Sequence, residues 1–208
     1  MTIAKIYHEY MIPKNLREHM LRVTSLAKII LGKWKGENLD SKSIITACAL
    51  HDLAKPITFD LTKQPKFGMT EMEIQNLEAL QQRLKSSYGI DERRVLIKIC
   101  KELGCTSNTV HIIQNMNWSC ASKLLEDNDI GSLVFMYCDM RIGPDGILPL
   151  WDRVEDAKTR YSGHDFEGYV RDGIKIEKLI ERLTSINLKR VSDDQINDGF
   201  NYVLALEI

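Results

Sequence analysis

The chain has 208 residues, the length of one domain, and a chain of this size buries roughly 70–75% of the surface that its unfolded form exposes. Its composition is ordinary, with 44% hydrophobic and 27% charged residues, which excludes collagen-like, disordered and disulfide-scaffold proteins. The 28 basic and 29 acidic side chains give a net charge of −1, so the chain as a whole carries no strong signal for nucleic-acid binding.

The spacing of apolar side chains predicts helices along most of the chain. From Leu16 to Ile30, apolar residues recur at steps of three and four positions, which is the period of one helix face. The second helix ends before Pro56, because a proline disfavours helix in the residue ahead of it. The predicted helices cover about 15–32, 41–54, 70–87, 91–103, 107–116, 119–126, 129–142, 149–160 and 164–185, and a last one runs from Ser192 to near the C-terminus.

Capping and turn residues mark the ends of these helices. Capping boxes begin at Thr70 and at Ser192, and the sequence Gly-Pro-Asp-Gly at 143–146 is the strongest turn signal in the chain. No stretch alternates polar and apolar residues for long enough to predict a sheet. We therefore predict a single all-α domain with a helical extension after this turn.

Neither a membrane span nor an export signal is evident. No stretch approaches the ~18–20 apolar residues that cross a bilayer, and the N-terminal residues lack the apolar segment and cleavage site of a signal peptide. We therefore predict a cytoplasmic protein. The cysteines contain no CxxC pair and lie mostly among apolar neighbours, which favours buried free thiols over a zinc finger. They are Cys48, Cys100, Cys105, Cys120 and Cys138.

Polar side chains interrupt the apolar faces of the first two predicted helices. His19 stands on the first, and His51 and Asp52 stand on the second, with Lys55 one helical turn after His51. A single histidine on such a face is commonly a core residue with a satisfied hydrogen bond. Several polar groups together each need a buried partner, and that points to a site.

A fourth unusual residue is Asp139, which follows the apolar stretch 130–138. Buried carboxylates are usually paired or bound to metal. With His19, His51 and Asp52, this residue offers two imidazoles and two carboxylates, a donor set typical of a divalent transition metal with open coordination positions. We predict one divalent metal ion and leave its identity open among Mn, Fe, Co, Ni, Zn and Mg.

The order of these residues resembles the signature of the HD-domain metal-dependent phosphohydrolase superfamily. The motifs are PKNLREHMLRV at 13–23, HDLAKP at 51–56 and YCDMR at 137–141, the last followed by Pro144 and Gly146. The resemblance covers about 10–155. It implies an HD-type helical bundle over that core, a C-terminal helical extension over about 156–208 within a single domain of residues 1–208, and a metal held by the four side chains.

One departure from the family concerns the number of metals. Binuclear members carry extra histidines between the central and closing motifs, whereas this interval holds only His111, and Gln75, Asn76 and Glu78 occupy the helix where another would stand. His111 has apolar neighbours, so core packing is favoured over a second-metal role. We expect a mononuclear site, and the same absence weakens the di-iron oxygenase variant of the fold.

Further residues suit the phosphate chemistry that the resemblance implies. Lys55 would contact the phosphate, and Asp52 would orient the attacking water as well as bind the metal. Arg17, Arg22 and Arg141 flank the motifs, and an arginine fork suits bidentate phosphate contacts. The simpler alternatives are that Lys55 pairs with its helix dipole and that the arginines lie on solvated or ion-paired faces.

The sequence therefore predicts a hydrolase that cleaves a phosphate ester of a nucleotide or another small phosphorylated metabolite with a metal-activated water. The alternative is a catalytically silent nucleotide-binding module of the same fold, serving as a sensor or partner domain. The presence of all four metal-binding residues argues against that alternative.

The predicted helix over 164–185 carries a broad apolar face. Core packing is the default for such a face, and a homodimer formed through it is the alternative. The predicted partner is thus a small phosphorylated substrate, with a homodimer as the alternative use of this apolar face and with no membrane.

Overall fold

Helices account for nearly all regular structure in the computed structural model, which describes residues 1–160 and 166–208. No β-strand occurs in those two ranges, where isolated bridges pair single residues, so the prediction of an all-α fold is confirmed. None of the helices within them is both long and apolar enough to cross a membrane. The helices are α1 (Ile3–Glu9), α2 (Lys14–Leu31), α3 (Ser41–Leu50), α4 (Glu71–Tyr88), α5 (Glu92–Glu102), α6 (Ser107–Gln114), α7 (Ala121–Glu126), α8 (Ile130–Arg141), α9 (Leu150–Arg160), α10 (Phe166–Leu183), α11 (Asp193–Asn197) and α12 (Phe200–Ala205).

The predicted capping residues act as expected. The Thr70 hydroxyl accepts from the amide of Glu73, and the Glu73 carboxylate accepts from the amide of Thr70 at 2.8 Å, which completes a capping box at α4. Ser192 begins the same arrangement at α11, and Asp91 accepts from an amide of α5. These acceptors fix the helix starts, because first-turn amides have no partner within the helix.

Helices α2, α3 and α8 pack against one another at the centre of the core. Helix α3 also contacts α6, and α8 also contacts α7, α9 and α10. Every residue of α8 from Ser132 to Cys138 is buried, as expected for a helix that is apolar all round and surrounded by others. His51 directly follows α3 and Asp139 lies on α8, so the packing of these two helices brings both residues into the interior.

The second predicted helix ends earlier than expected. The predicted end at residue 54 is wrong, because α3 ends just before His51. The His51 ring donates from Nδ1 to the carbonyl of Cys48 at 2.8 Å, an acceptor that a continued helix would offer to the amide of Asp52. A 3₁₀ turn then begins at Lys55, which therefore does not share a helix face with His51.

Two further differences lie near the ends of the chain. Helix α1 has no counterpart among the predicted helices, and its buried Ile3 and Ile6 belong to the same core as the rest. The single predicted last helix is two helices, α11 and α12, divided at Gly199. A side chain there would lie 2.6 Å from the Ser25 hydroxyl, so the chain approaches α2 closely at the break, and each helix packs on α2 separately.

The C-terminal helices pack onto the central ones. Helix α10 contacts α7, α8 and α9, with Ile176 and Ile180 buried and Ile174 42% exposed. Much of the apolar face considered for dimerisation is thus used within the chain, and the homodimer stays a prediction, as do the limits of core and extension. The first two residues of the predicted helix 164–185 lie outside the described residues.

Candidate metal centre and adjoining cavity

Side chains from three segments converge at His19 on α2, His51 after α3 and Asp139 on the last turn of α8. His19 Nε2 lies 3.0 Å from Asp139 Oδ1 and 3.3 Å from His51 Nε2. His51 Nε2 lies 3.5 Å from the same carboxylate oxygen. The fold thus brings residues as far as 120 positions apart to one point.

His51 is held in one orientation. Its side chain is 3% exposed, its Nδ1 donates to the carbonyl of Cys48, and the Phe135 ring packs edge-on against it with centroids 5.5 Å apart. A proton on Nδ1 leaves the lone pair on Nε2, the atom that faces His19 and Asp139. Metal-binding histidines commonly make such a second hydrogen bond, because it fixes the ring and its tautomer.

The Asp139 carboxylate stays ionised although it is partly buried. Burial by itself would raise its pKa, but the hydrogen bond with His19 and the neighbouring His51, His19 and Arg153 side chains outweigh burial and hold the pKa of Asp139 well below its usual range. A carboxylate that stays anionic is ready to bind a cation without first losing a proton.

The spacing of the three donor atoms fits a divalent transition metal. Two ligand atoms that are each ~2.1 Å from one ion lie ~3.0 Å apart at a right angle and ~3.4 Å apart at the tetrahedral angle. The observed separations of 3.0, 3.3 and 3.5 Å are close to these values. Three protein ligands leave coordination positions open, as catalytic rather than structural sites do.

Asp52 lies beside this group rather than within it. Its Oδ2 is 3.7 Å from His51 Nε2, while the compact set of donor atoms, all within 4.8 Å of one another, consists of His19, His51 and Asp139. The Asp52 carboxylate instead lines an adjoining cavity. Three of the four predicted ligands are therefore brought together, and the role of Asp52 as a ligand stays a prediction.

The adjoining cavity has a volume of about 500 Å³, within the range of roughly 300–1,000 Å³ typical of small-molecule sites. His51 and Asp139 are among its lining residues, so the cavity meets the group of donor atoms. The charged side chains that line it are Asp52, Glu92, Asp139, Lys55, Arg93 and Arg153. Three acidic and three basic side chains thus face one cavity, so it can present both a metal-binding carboxylate and cations for an anionic ligand.

Lys55 lies at this cavity, as its predicted role requires. Its Nζ is 3.5 Å from Glu92 Oε1, and the Thr58 hydroxyl donates to Glu92 Oε2 at 2.9 Å. Glu92 therefore positions the ammonium group. The Lys55 side chain keeps 40% of its surface exposed, so a ligand in the cavity can reach it.

None of the three arginines predicted to bind substrate lines the cavity. Arg17 is exposed on α2, and Arg22 pairs with Glu18 at 3.5 Å. Arg141 is 4% exposed and lies 3.6 Å from Glu177. The structure therefore places these side chains on solvated or ion-paired positions, and their predicted phosphate contacts are not supported.

Two other arginines, Arg93 on α5 and Arg153 on α9, line the cavity. Arg153 donates to the carbonyl of Ile142 at 3.1 Å, which ties α9 to the end of α8. It shares a helix face with the small apolar Ala157, one turn further on, and both line the cavity. Lys55 is singled out by its position just after the His51-Asp52 pair, whereas no such motif in the sequence marks Arg153.

Aromatic side chains form another part of the lining. The rings of Trp118 and Tyr169 meet edge to face, with centroids 5.2 Å apart and an angle of 61° between their planes, and Phe166 packs against Tyr169 at 6.0 Å. Asn117 caps the 3₁₀ turn that carries Trp118 and so fixes the position of the indole. The sequence predicts core packing for the apolar face of the helix 164–185, which carries Tyr169, and it assigns no role to Trp118.

His111 lies apart from the metal ligands. Its side chain is 53% exposed, and its Nε2 lies 2.7 Å from Asp129 Oδ2. The prediction that His111 packs in the core is wrong, because its side of α6 faces solvent and the capping residue of α8 supplies its partner. His111 does not belong to the compact donor group that the described residues form. The mononuclear site stays a prediction.

Together these features define a helical protein with a candidate metal centre of two histidines and one carboxylate beside a cavity. The family model for the HD domain matches residues 16–106, which include His19, His51 and Asp52 and amount to less than half of the chain. The match over this segment supports the resemblance to the HD-domain superfamily of metal-dependent phosphohydrolases, and this prediction from the motifs is confirmed. No curated protein and no solved structure matches the chain.

Proposed function

We propose that this protein is a metal-dependent phosphohydrolase that cleaves a phosphate ester of a nucleotide or a similar small phosphorylated metabolite. The observation that carries the proposal is the convergence of His19, His51 and Asp139 beside a cavity that also presents Lys55 and Arg153. The HD domain supports the reaction class, because this family consists generally of such hydrolases.

His19, His51 and Asp139 would hold one divalent ion. Such an ion supplies positive charge to a phosphoryl oxygen and lowers the pKa of a water molecule toward neutrality. Asp52, at the cavity wall 3.7 Å from His51, is placed to accept a hydrogen bond from that water and so to orient it. The buried Nδ1 hydrogen bond keeps the His51 ring in place during the reaction.

Basic side chains at the cavity suit the phosphate group. Lys55, positioned by Glu92, offers a point charge, and Arg153 offers a planar fork that can make two hydrogen bonds to phosphate oxygens. Arg93 adds a third cation. These side chains would neutralise charge on the ester and hold it against the metal ligands.

The aromatic part of the lining suits the rest of the substrate. A planar base can stack on an exposed aromatic face, and Trp118 and Tyr169 provide two such rings beside the basic groups. A cavity of about 500 Å³ accommodates a mononucleotide-sized molecule. This pairing of cations with aromatic rings favours nucleotides over simple sugar phosphates.

The test is a screen of the purified protein against nucleotides and generic phosphate esters, with Mn, Fe, Co, Ni, Zn or Mg supplied, and with released phosphate and bound metal both measured. We expect hydrolysis that depends on one metal, and loss of both turnover and metal in a His51→Ala/Asp52→Ala variant. His8→Ala, which alters an exposed histidine on α1, is the control. Undiminished turnover in the double variant would refute the proposal, and a stoichiometric nucleotide complex that stays intact with every metal would establish the silent binding module instead.

A further inference from the structure

Helix α5 ends in a Schellman motif that joins Cys100 to Cys105. The amide of Cys105 donates to the carbonyl of Cys100 at 2.9 Å, and the amide of Gly104 donates to the carbonyl of Lys101 at 3.1 Å. Gly104 has a φ of 75°, in the left-handed region that this motif requires and that glycine adopts without strain. These two hydrogen bonds fix the backbone of the turn.

A Schellman motif normally brings two apolar side chains into contact across the helix end, and here both positions are cysteines. The main-chain hydrogen bonds of this motif hold the two cysteines next to each other at the helix end. Cys100 is fully buried, while Cys105 is partly exposed, so one sulfur of the pair is accessible from solvent and the other is shielded.

The pair differs from the other cysteines of the chain. Cys48 and Cys138 are fully buried, and burial raises the pKa of both thiols, which keeps them in the unreactive protonated form. In contrast, the neighbouring Cys100 thiol lowers the pKa of Cys105, outweighing the opposing effect of burial. Cys105 is therefore the more acidic thiol, and it has a partner sulfur beside it.

We propose that Cys100 and Cys105 are a reversible dithiol–disulfide pair, with Cys105 the sulfur that an oxidant attacks and Cys100 the one that resolves the product. With hydrogen peroxide, the Cys105 thiolate takes one oxygen to form a sulfenic acid, and hydroxide leaves. The Cys100 sulfur then attacks the Cys105 sulfur, forming the S–S bond and releasing the sulfenic oxygen as water. Two thiols are oxidised and one peroxide is reduced to two waters.

The fold around the pair favours closure of this bond. The main-chain hydrogen bond already holds Cys100 and Cys105 side by side. Formation of the disulfide therefore requires adjustment of two side chains rather than movement of a helix. Thr106, the next residue, caps α6 and its hydroxyl lies 2.6 Å from that of Ser43 on α3, which anchors the chain after the pair. This proposal is independent of the proposed enzymatic activity.

The test uses the full-length native protein treated with a small excess of hydrogen peroxide, then digested with trypsin without reduction. Cleavage after Lys98, Lys101 and Lys123 separates the two sulfurs, so the disulfide joins peptide 99–101 to peptide 102–123 with the loss of two hydrogens. We expect this linked product, its disappearance on reduction with dithiothreitol, and a fall from five to three free thiols after denaturation.

Peptide 102–123 also contains Cys120, so variants assign the bond. We expect Cys120→Ser to keep the linked product and Cys105→Ser to lose it, with native circular dichroism checked for both. A product that persists in Cys105→Ser, or that requires Cys120, would overturn the proposal. So would oxidation of Cys105 to sulfinic or sulfonic acid in the wild-type protein without any linked peptide.

Discussion

His51 donates a hydrogen bond from Nδ1 to the carbonyl of Cys48, one turn earlier, at 2.8 Å. The bond lies at the end of α3, which stops at Leu50, and it directs Nε2 toward His19 and Asp139. The end of the helix and the orientation of a candidate metal ligand are therefore found at the same residue. Removing the His51 ring is expected to remove one ligand and leave the other two in place.

The first prediction concerns metal retention. His51→Ala should lower metal affinity by at least ~10–100-fold, since loss of an outer hydrogen-bonding partner alone has that effect in metal sites. The measurement is metal bound per chain after dialysis against a graded chelator. His111→Ala is the matched control, because this histidine is half exposed and bonded to Asp129 away from the ligands. Equal metal content in the two variants would contradict the assignment.

A second prediction concerns Lys55. Lys55→Met keeps the length of the side chain and removes its charge, so kcat/KM for a hydrolysed substrate should fall by ~10–150-fold, the equivalent of the ~1.5–3 kcal/mol that a hydrogen bond to a charged group contributes. Arg17→Ala removes an exposed charge outside the cavity and should leave kcat/KM unchanged. If Arg17→Ala has the larger effect, the phosphate binds elsewhere than the cavity.

A third prediction separates the aromatic wall from the metal centre. Trp118→Ala should raise KM for a nucleotide by ~5–150-fold, since stacking of a base on an aromatic ring contributes ~1–3 kcal/mol. Turnover of a small aliphatic phosphate ester should change little, and Trp118→Phe should retain most of the nucleotide affinity. Trp151→Ala, at a tryptophan that is 57% exposed, is the control. An equal loss for both kinds of substrate would show that Trp118 supports the fold rather than the base.

The fourth prediction concerns stability and pH at Asp129. Its carboxylate caps α8 through Ser132 and pairs with His111. Burial raises its pKa, but the hydrogen bonds from His111 and Ser132 outweigh burial, and the net pKa is lowered. Asp129→Ala should lower the free energy of unfolding at neutral pH by ~0.5–2 kcal/mol, the usual effect of losing a helix cap.

The sign of the pH dependence follows from the direction of that shift. A carboxyl group with a lowered pKa in the folded state stabilises the fold above its unfolded pKa of ~3.9 and loses this contribution as the pH falls through the folded value. The difference in unfolding free energy between wild type and Asp129→Ala, measured with urea, should therefore narrow below about pH 4. Asp129→Asn keeps the helix cap and loses the charge, so its free energy of unfolding at neutral pH should lie between those of wild type and Asp129→Ala. A difference that widens in acid would contradict the assigned role.

The sequence was informative where chemistry and periodicity act locally. Capping at Thr70 and Ser192 depends on residues three positions apart, and both capping boxes form as predicted. The candidate ligands His19, His51 and Asp139 could be recognised because polar side chains on apolar faces are rare and their order matched a known motif. In each case the deciding information lay within one helix or within one signature.

The remaining features depend on packing between distant segments. Arg153 reaches the cavity because α9 lies against α8. Arg141 pairs with Glu177, which the packing of α10 on α8 brings beside it. Neither arrangement has a local signature in the sequence. Such relationships arise only once the helices are assembled.

The burial of α8 has a consequence for how substitutions in this protein would be interpreted. From Ser132 to Cys138 every position is enclosed by other helices, so a polar replacement at any of them would impair folding and the amount of protein recovered. A systematic mutational scan would score every position of this stretch as intolerant, whether or not the residue takes part in chemistry. Asp139, partly open to the cavity, is the position on this helix where inactive protein could still accumulate in folded form.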